Sequence, residues 1–121
     1  MKKFVHGRLL SMKYALKGAF LLITTEHSIM VQFATSCVVI GLGFYFDISK
    51  QDWINQTLVM AMVLGIESMN TAVEKMADFI HPDFNAKIGF IKDIAAGAVT
   101  FCAIAAAVLF ALIYFPYFFP A

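Results

Sequence analysis

A chain of 121 residues has room for one domain, and 61% hydrophobic residues with a mean hydropathy of +0.80 exclude an ordinary soluble globular protein. The formal net charge of +1 gives no sign of a nucleic-acid partner. Cys37 and Cys102 both sit in apolar runs, match neither a zinc spacing nor a CxxC pair, and read as small buried apolar residues.

Residues 1–25 are amphipathic: Phe4, Leu9, Leu10, Leu16, Phe20, Leu21 and Leu22 are interleaved with Lys2, Lys3, Arg8, Lys13 and Lys17. A basic helix with an apolar face suits the membrane interface, where lysines meet anionic headgroups, so a surface helix is expected. No apolar core followed by a small-residue cleavage site is present there, and no cleaved signal peptide is expected. Residues 29–46 form the first expected span, interrupted only by Gln32, Thr35 and Ser36. The polar turn Asp47-Ile48-Ser49-Lys50-Gln51-Asp52 leads to Trp53 at an expected membrane-water boundary.

Residues 53–73 form the second expected span, about 31 Å at 1.5 Å per residue. Its end carries Glu67, Asn70, Glu74 and Asp78 at spacings of 3, 4 and 4. At about 100° per residue these four fall within an arc of about 80° on one helix face. His81-Pro82-Asp83-Phe84-Asn85 breaks the helix, and a short polar segment leads to Lys92-Asp93. Residues 94–119 form the third expected span, in which Ala96, Thr100, Ala103 and Ala107 offer a small-residue face for helix packing. The end, Tyr114-Phe115-Pro116-Tyr117-Phe118-Phe119, reads as an interfacial anchor with a terminating proline.

Five Lys and Arg residues precede the first span, one lies in the first loop, three lie between Lys75 and Lys92, and none follows the third span. The basic side stays in the cytoplasm, so the N-terminus is expected inside and the C-terminus outside. The expected fold is therefore a single all-α membrane domain, 1–121, with an amphipathic surface helix and three transmembrane helices. Glu26, Glu74, Asp78, Lys92 and Asp93 then gather at the cytoplasmic face, where ATP is available.

No GxxxxGK[ST] loop, kinase-type Gly-rich loop, GxSxG or HExxH is present. What the chain does offer is a set of carboxylates, one amide and several lysines. Such a set suits phosphoryl transfer from a metal nucleotide: acids hold Mg²⁺, lysines meet phosphate oxygens, and one carboxylate orients or deprotonates an accepting hydroxyl. Glu67 lies deepest, about 9 Å inside the end of the second span, and is the acid best placed to meet a lipid headgroup hydroxyl.

The run Glu67-x-x-Asn70-Thr71-Ala72-x-Glu74-x-x-x-Asp78, followed by Lys92-Asp93-x-Ala95-Ala96-Gly97-Ala98-Val99, resembles the signature of the small bacterial diacylglycerol kinases, which include the undecaprenol kinases. The resemblance extends from Tyr14-Ala15-Leu16-Lys17-Gly18 through Glu26 to the third span. It implies an ATP- and Mg²⁺-dependent lipid kinase of the bacterial inner membrane, working as a homotrimer whose active sites are shared between neighbouring subunits. It implies Glu67 as the general base at the lipid substrate, with Asn70 as its polar neighbour. Glu26 and Glu74 match the pair that binds the metal and its nucleotide, and Asp78, Lys92 and Asp93 match nucleotide-binding positions. Tyr14 is a further ATP-binding candidate, and Arg8 a weaker one that aligns only with a one-residue shift. After Glu26 the chain reads His27-Ser28-Ile29-Met30, where many members carry an Asn and then a basic residue. The Lys92–Val99 wording is nearer the undecaprenol-kinase branch.

Two other functions fit the residues alone. A small oligomeric transporter could bind a proton or cation at Glu67. A non-catalytic membrane partner could use the same acids as a polar seam between helices.

Overall fold

Four helices, α1 (Lys2–Thr25), α2 (His27–Tyr45), α3 (Lys50–Ile80) and α4 (Ala86–Phe118), make up nearly the whole chain in the computed structural model, which describes residues 1–121 and contains no strand. A helix occupies each of the four stretches expected from the sequence pattern. Two of them, α2 and α4, are long and apolar enough to cross a membrane. α3 is longer than α2, but Asn55, Gln56, Glu67 and Asn70 dilute its apolar run before the charged residues of its last turns.

The boundaries follow from local chemistry. Thr24 and Thr25 turn their hydroxyls back onto the carbonyls of Phe20 and Leu21, at 2.8 and 2.6 Å, and Glu26 then takes an extended backbone that separates α1 from α2 by one residue. α2 ends in a Schellman arrangement. The Ile48 N–H bonds to the Gly43 carbonyl at 3.1 Å, the Asp47 N–H bonds to the Phe44 carbonyl at 3.3 Å, and Asp47 takes the left-handed conformation at φ 49°. Ser49 caps α3 by accepting from the Asp52 N–H at 3.1 Å. Pro82 restricts His81 to a non-helical backbone, which ends α3.

Two boundaries differ from expectation. The segment before Lys92 is already helical: Asn85 accepts from the N–H groups of Lys87 and Ile88 at 2.9 and 3.2 Å and starts α4 at Ala86. Lys92-Asp93 therefore lies two turns inside a helix, not at its start. Pro116 does not terminate α4, which runs on to Phe118; the proline sits in the last turn, where only one intrahelical bond is lost.

α3 packs chiefly and antiparallel on α4, α2 packs on α3, and α1 leans on α2. The apolar core lies at the end of the bundle where α2 turns into α3. There Ile48, Ile113 and Tyr114 are buried, with Val39, Leu42, Phe46, Trp53 and Leu109 packed around them. Gly43 permits this closeness, since a Cβ there would stand 2.8 Å from the Trp53 ring. Tyr114 is 1% exposed and donates to the Gln56 side-chain oxygen Oε1 at 2.6 Å, with the Val39 backbone carbonyl 3.1 Å away. It is thus a buried clasp joining three helices, not the interfacial anchor expected of it; a phenol with two acceptors in reach can be buried without losing its hydrogen bonds.

Candidate active site

α3 carries its polar residues on one face, and the packing grades them by depth. Glu67 is buried, Asn70 half-buried, and Glu74 and Asp78 are exposed. Thr71, also buried, donates its hydroxyl to the Glu67 carbonyl at 3.1 Å, as a helical threonine does when no other acceptor is near. Asn70 Nδ2 donates to Glu74 Oε1 at 3.2 Å, while Asn70 Oδ1 is buried without a donor. The Glu67 carboxylate has no hydrogen-bond or ion-pair partner within the chain.

Two ion pairs draw other elements to this end of α3. Glu26, at the break between α1 and α2, accepts from Lys75 Nζ at 2.9 Å, and Thr25 Oγ1 donates to the same oxygen at 3.2 Å. The hydrogen bond from Lys75 holds the Glu26 carboxyl below its usual value of 4.5, against the opposing effect of partial desolvation. Lys92 of α4 binds Asp78 of α3. Asp93, the next residue, is exposed. Tyr14 and Arg8 are exposed on α1, Arg8 with its guanidinium 5.3 Å over the Phe4 ring, and no hydrogen bond or ion pair joins either residue to the carboxylates.

No group of three His, Cys, Asp or Glu side chains converges within the chain. The two carboxylates expected to take the metal lie on different elements: Glu26 is the ion-pair partner of Lys75, and Glu74, the residue before Lys75, accepts instead from Asn70. Mg²⁺ is commonly held by one or two carboxylates together with substrate phosphates, so this donor set fits a metal carried on a nucleotide better than an all-protein cage.

A cavity of about 420 Å³ opens among α2, α3 and α4. Its α3 wall is Gln56, Val59, Met60 and Val63, and the next position on that face, one turn on, is Glu67. Two contributors escape a reading by motif, Lys75 and the Gln56–Tyr114 pair, and Thr71, which the motif includes, carries no role in it. Gln56 alone left a signal, as an amide inside an otherwise apolar run.

Residues 13–114 match the family model described as prokaryotic diacylglycerol kinase. The chain belongs to that family. Undecaprenol kinase of Bacillus subtilis (strain 168) is 30% identical over 115 residues, covering 95% of this chain and 87% of that relative. This family member is accordingly a phosphotransferase acting on a lipid alcohol. The matched segment includes each candidate site residue from Tyr14 to Asp93 and leaves Arg8 outside.

Proposed function

We propose that this chain transfers the γ-phosphate of ATP, with Mg²⁺, to the hydroxyl of diacylglycerol or undecaprenol at the cytoplasmic face of the bacterial inner membrane. The observation that carries the reading is Glu67, a buried residue whose carboxylate has no partner within the chain, one helical turn beyond the α3 wall of an apolar cavity. Such a cavity suits the hydrocarbon chain of a lipid whose hydroxyl reaches the carboxylate.

Glu67 takes the proton from the lipid hydroxyl as its oxygen attacks the γ-phosphorus, and ADP leaves. Asn70 fixes Glu74 through Nδ2 and offers Oδ1 as an acceptor in a region otherwise poor in partners. Glu26 and Glu74 would hold the divalent cation, which would supply charge neutralisation at the phosphates. Lys92, kept in place by Asp78, meets phosphate oxygens, and Asp93 and Tyr14 complete the nucleotide's surroundings.

α3 is the third span in this reading. Gln56 and Asp78 are twenty-two residues apart on α3, about 33 Å, and their partners Tyr114 and Lys92 are equally far apart on α4, close to the thickness of a bilayer's hydrocarbon core. The N-terminus is cytoplasmic and three chains assemble as a trimer with shared sites. The sparse burial within one chain, nine residues of 121, supports assembly, because lipid alone does not shield the polar face of α3.

The test is Mg²⁺-dependent transfer of labelled γ-phosphate from ATP to diacylglycerol and to undecaprenol, side by side in mixed micelles. Transfer to one or both is expected, and its absence from correctly assembled protein with both lipids overturns the reading.

A further inference from the structure

Lys75 belongs to none of the roles above, yet it holds one of the two carboxylates expected to take the metal. Its ammonium sits 2.9 Å from Glu26 Oε1, and the Thr25 hydroxyl completes that oxygen's partners at 3.2 Å. The other carboxylate, Glu74, has the neutral amide of Asn70 at 3.2 Å. A divalent cation that takes that oxygen, or both oxygens of Glu26, therefore displaces an existing cation, whereas the partner already bonded to Glu74 is neutral.

The side chains are suited to such an exchange. The Lys75 side chain is 64% exposed and makes no other ion pair or side-chain hydrogen bond, so it can swing into solvent on its flexible stem. Glu26, at 23% exposed, is held more closely by its position at the helix break. The carboxylate stays and the ammonium can leave. An ion pair of this exposure is weak enough for a divalent cation to displace, and strong enough to keep Glu26 oriented before the cation arrives.

Resting on the assignment of Glu26 and Glu74 as metal carboxylates, we propose that Lys75 is a resident counter-cation that competes with the divalent ion for Glu26 and thereby sets the chain's affinity for metal. Lys75 is a positioning residue in this scheme. It touches neither lipid nor the transferred phosphoryl group.

The experiment titrates the Mn²⁺ complex of a non-hydrolysable ATP analogue into the purified full chain and follows the change in its Mn²⁺ signal by electron paramagnetic resonance. Lys75→Met is expected to tighten Mn²⁺ binding roughly two- to fivefold, the range spanned by a surface ion pair. Lys75→Arg, which keeps a cation in reach of Glu26, is expected to stay near the wild type. A general effect of removing positive charge is separated by the double variant. If Lys75 acts through Glu26, Lys75→Met has no further effect in a Glu26→Gln background.

Unchanged or weaker Mn²⁺ binding in Lys75→Met overturns the inference, as does tightening of equal size in the Glu26→Gln background. If Glu26→Gln weakens Mn²⁺ binding while Lys75→Met does nothing, only the role of Lys75 fails. If Glu26→Gln leaves Mn²⁺ binding unaltered, the assignment of Glu26 to the metal fails too.

Discussion

Glu67 is the one acidic residue of the stripe that packing buries, and its carboxylate has no partner within the chain. An acid near the bilayer centre costs about 2.5 kcal/mol or more, so a residue kept only for helix packing would be better replaced by an amide or an apolar side chain. Glu67→Gln keeps the shape and removes the base. The expected result is an assembled protein whose transfer rate falls by about 10²- to 10⁴-fold, read by the micelle assay alongside size-exclusion chromatography. Full activity in that variant would remove Glu67 from the mechanism. Glu26 gives a second residue-scale test, in pH. Its carboxyl is held below 4.5 in the folded chain by Lys75, so folding favours the ionised form, and the pair's contribution is complete above that value. It is lost as pH falls through the lowered value. Thermal unfolding of the wild type and Lys75→Met should therefore differ at pH 7 and converge in strong acid; a gap that persists there would contradict the sign.

Among the elements, the tightest fit is where α2 turns into α3. A Cβ on Gly43 would stand 2.8 and 2.9 Å from two atoms of the Trp53 ring, and Ile48 closes the same space at 3.2 Å. Because Trp53 is itself fixed against Phe44, with ring centroids 4.8 Å apart, it cannot easily retreat. Gly43→Ala is expected to destabilise the chain by about 1–3 kcal/mol, measurable by unfolding in mixed micelles, with the transfer chemistry at the opposite end little changed once folded. Tyr114→Phe leaves the buried Gln56 side-chain oxygen Oε1 without its donor and is expected to cost about 1–3 kcal/mol by the same assay. These elements also mark what a sequence can disclose. The 3, 4, 4 spacing from Glu67 to Asp78 placed the stripe, because helical register depends only on local geometry. Asn85 was readable as part of a break but not as a cap, which depends on which way its side chain turns. Tyr114 and Lys75 were misplaced or overlooked for a different reason. Their partners, Gln56 and Glu26, lie far off in the chain and meet them only after the helices pack, and an aromatic near a chain end otherwise looks like an interfacial residue.

On the scale of the whole molecule, the number of times the chain crosses the bilayer decides on which side each terminus lies. α2 and α4 qualify as spans on length and hydropathy, and two crossings alone would leave both termini on the same side. α3 falls short of that test because Asn55, Gln56, Glu67 and Asn70 interrupt its apolar run, and it is antiparallel to α4. It carries ties to α4 near both of its ends, Gln56–Tyr114 at one and Asp78–Lys92 at the other. The ties, about 33 Å apart, support the proposal that α3 crosses with α4, since a helix that runs alongside a spanning neighbour over that length does not stay in one interface. On that proposal three crossings would put the termini on opposite sides, and the basic N-terminal segment would lie in the cytoplasm. The check replaces Cys37 and Cys102 with alanine or serine, introduces a single cysteine at Lys3 or at Ala121, and labels intact spheroplasts with a membrane-impermeant maleimide. The cysteine at position 121 is expected to react and the one at position 3 to react only after lysis. Equal labelling of both from one side would leave α3 as a helix that does not cross, and would take Glu67 out of the membrane on which its proposed role depends.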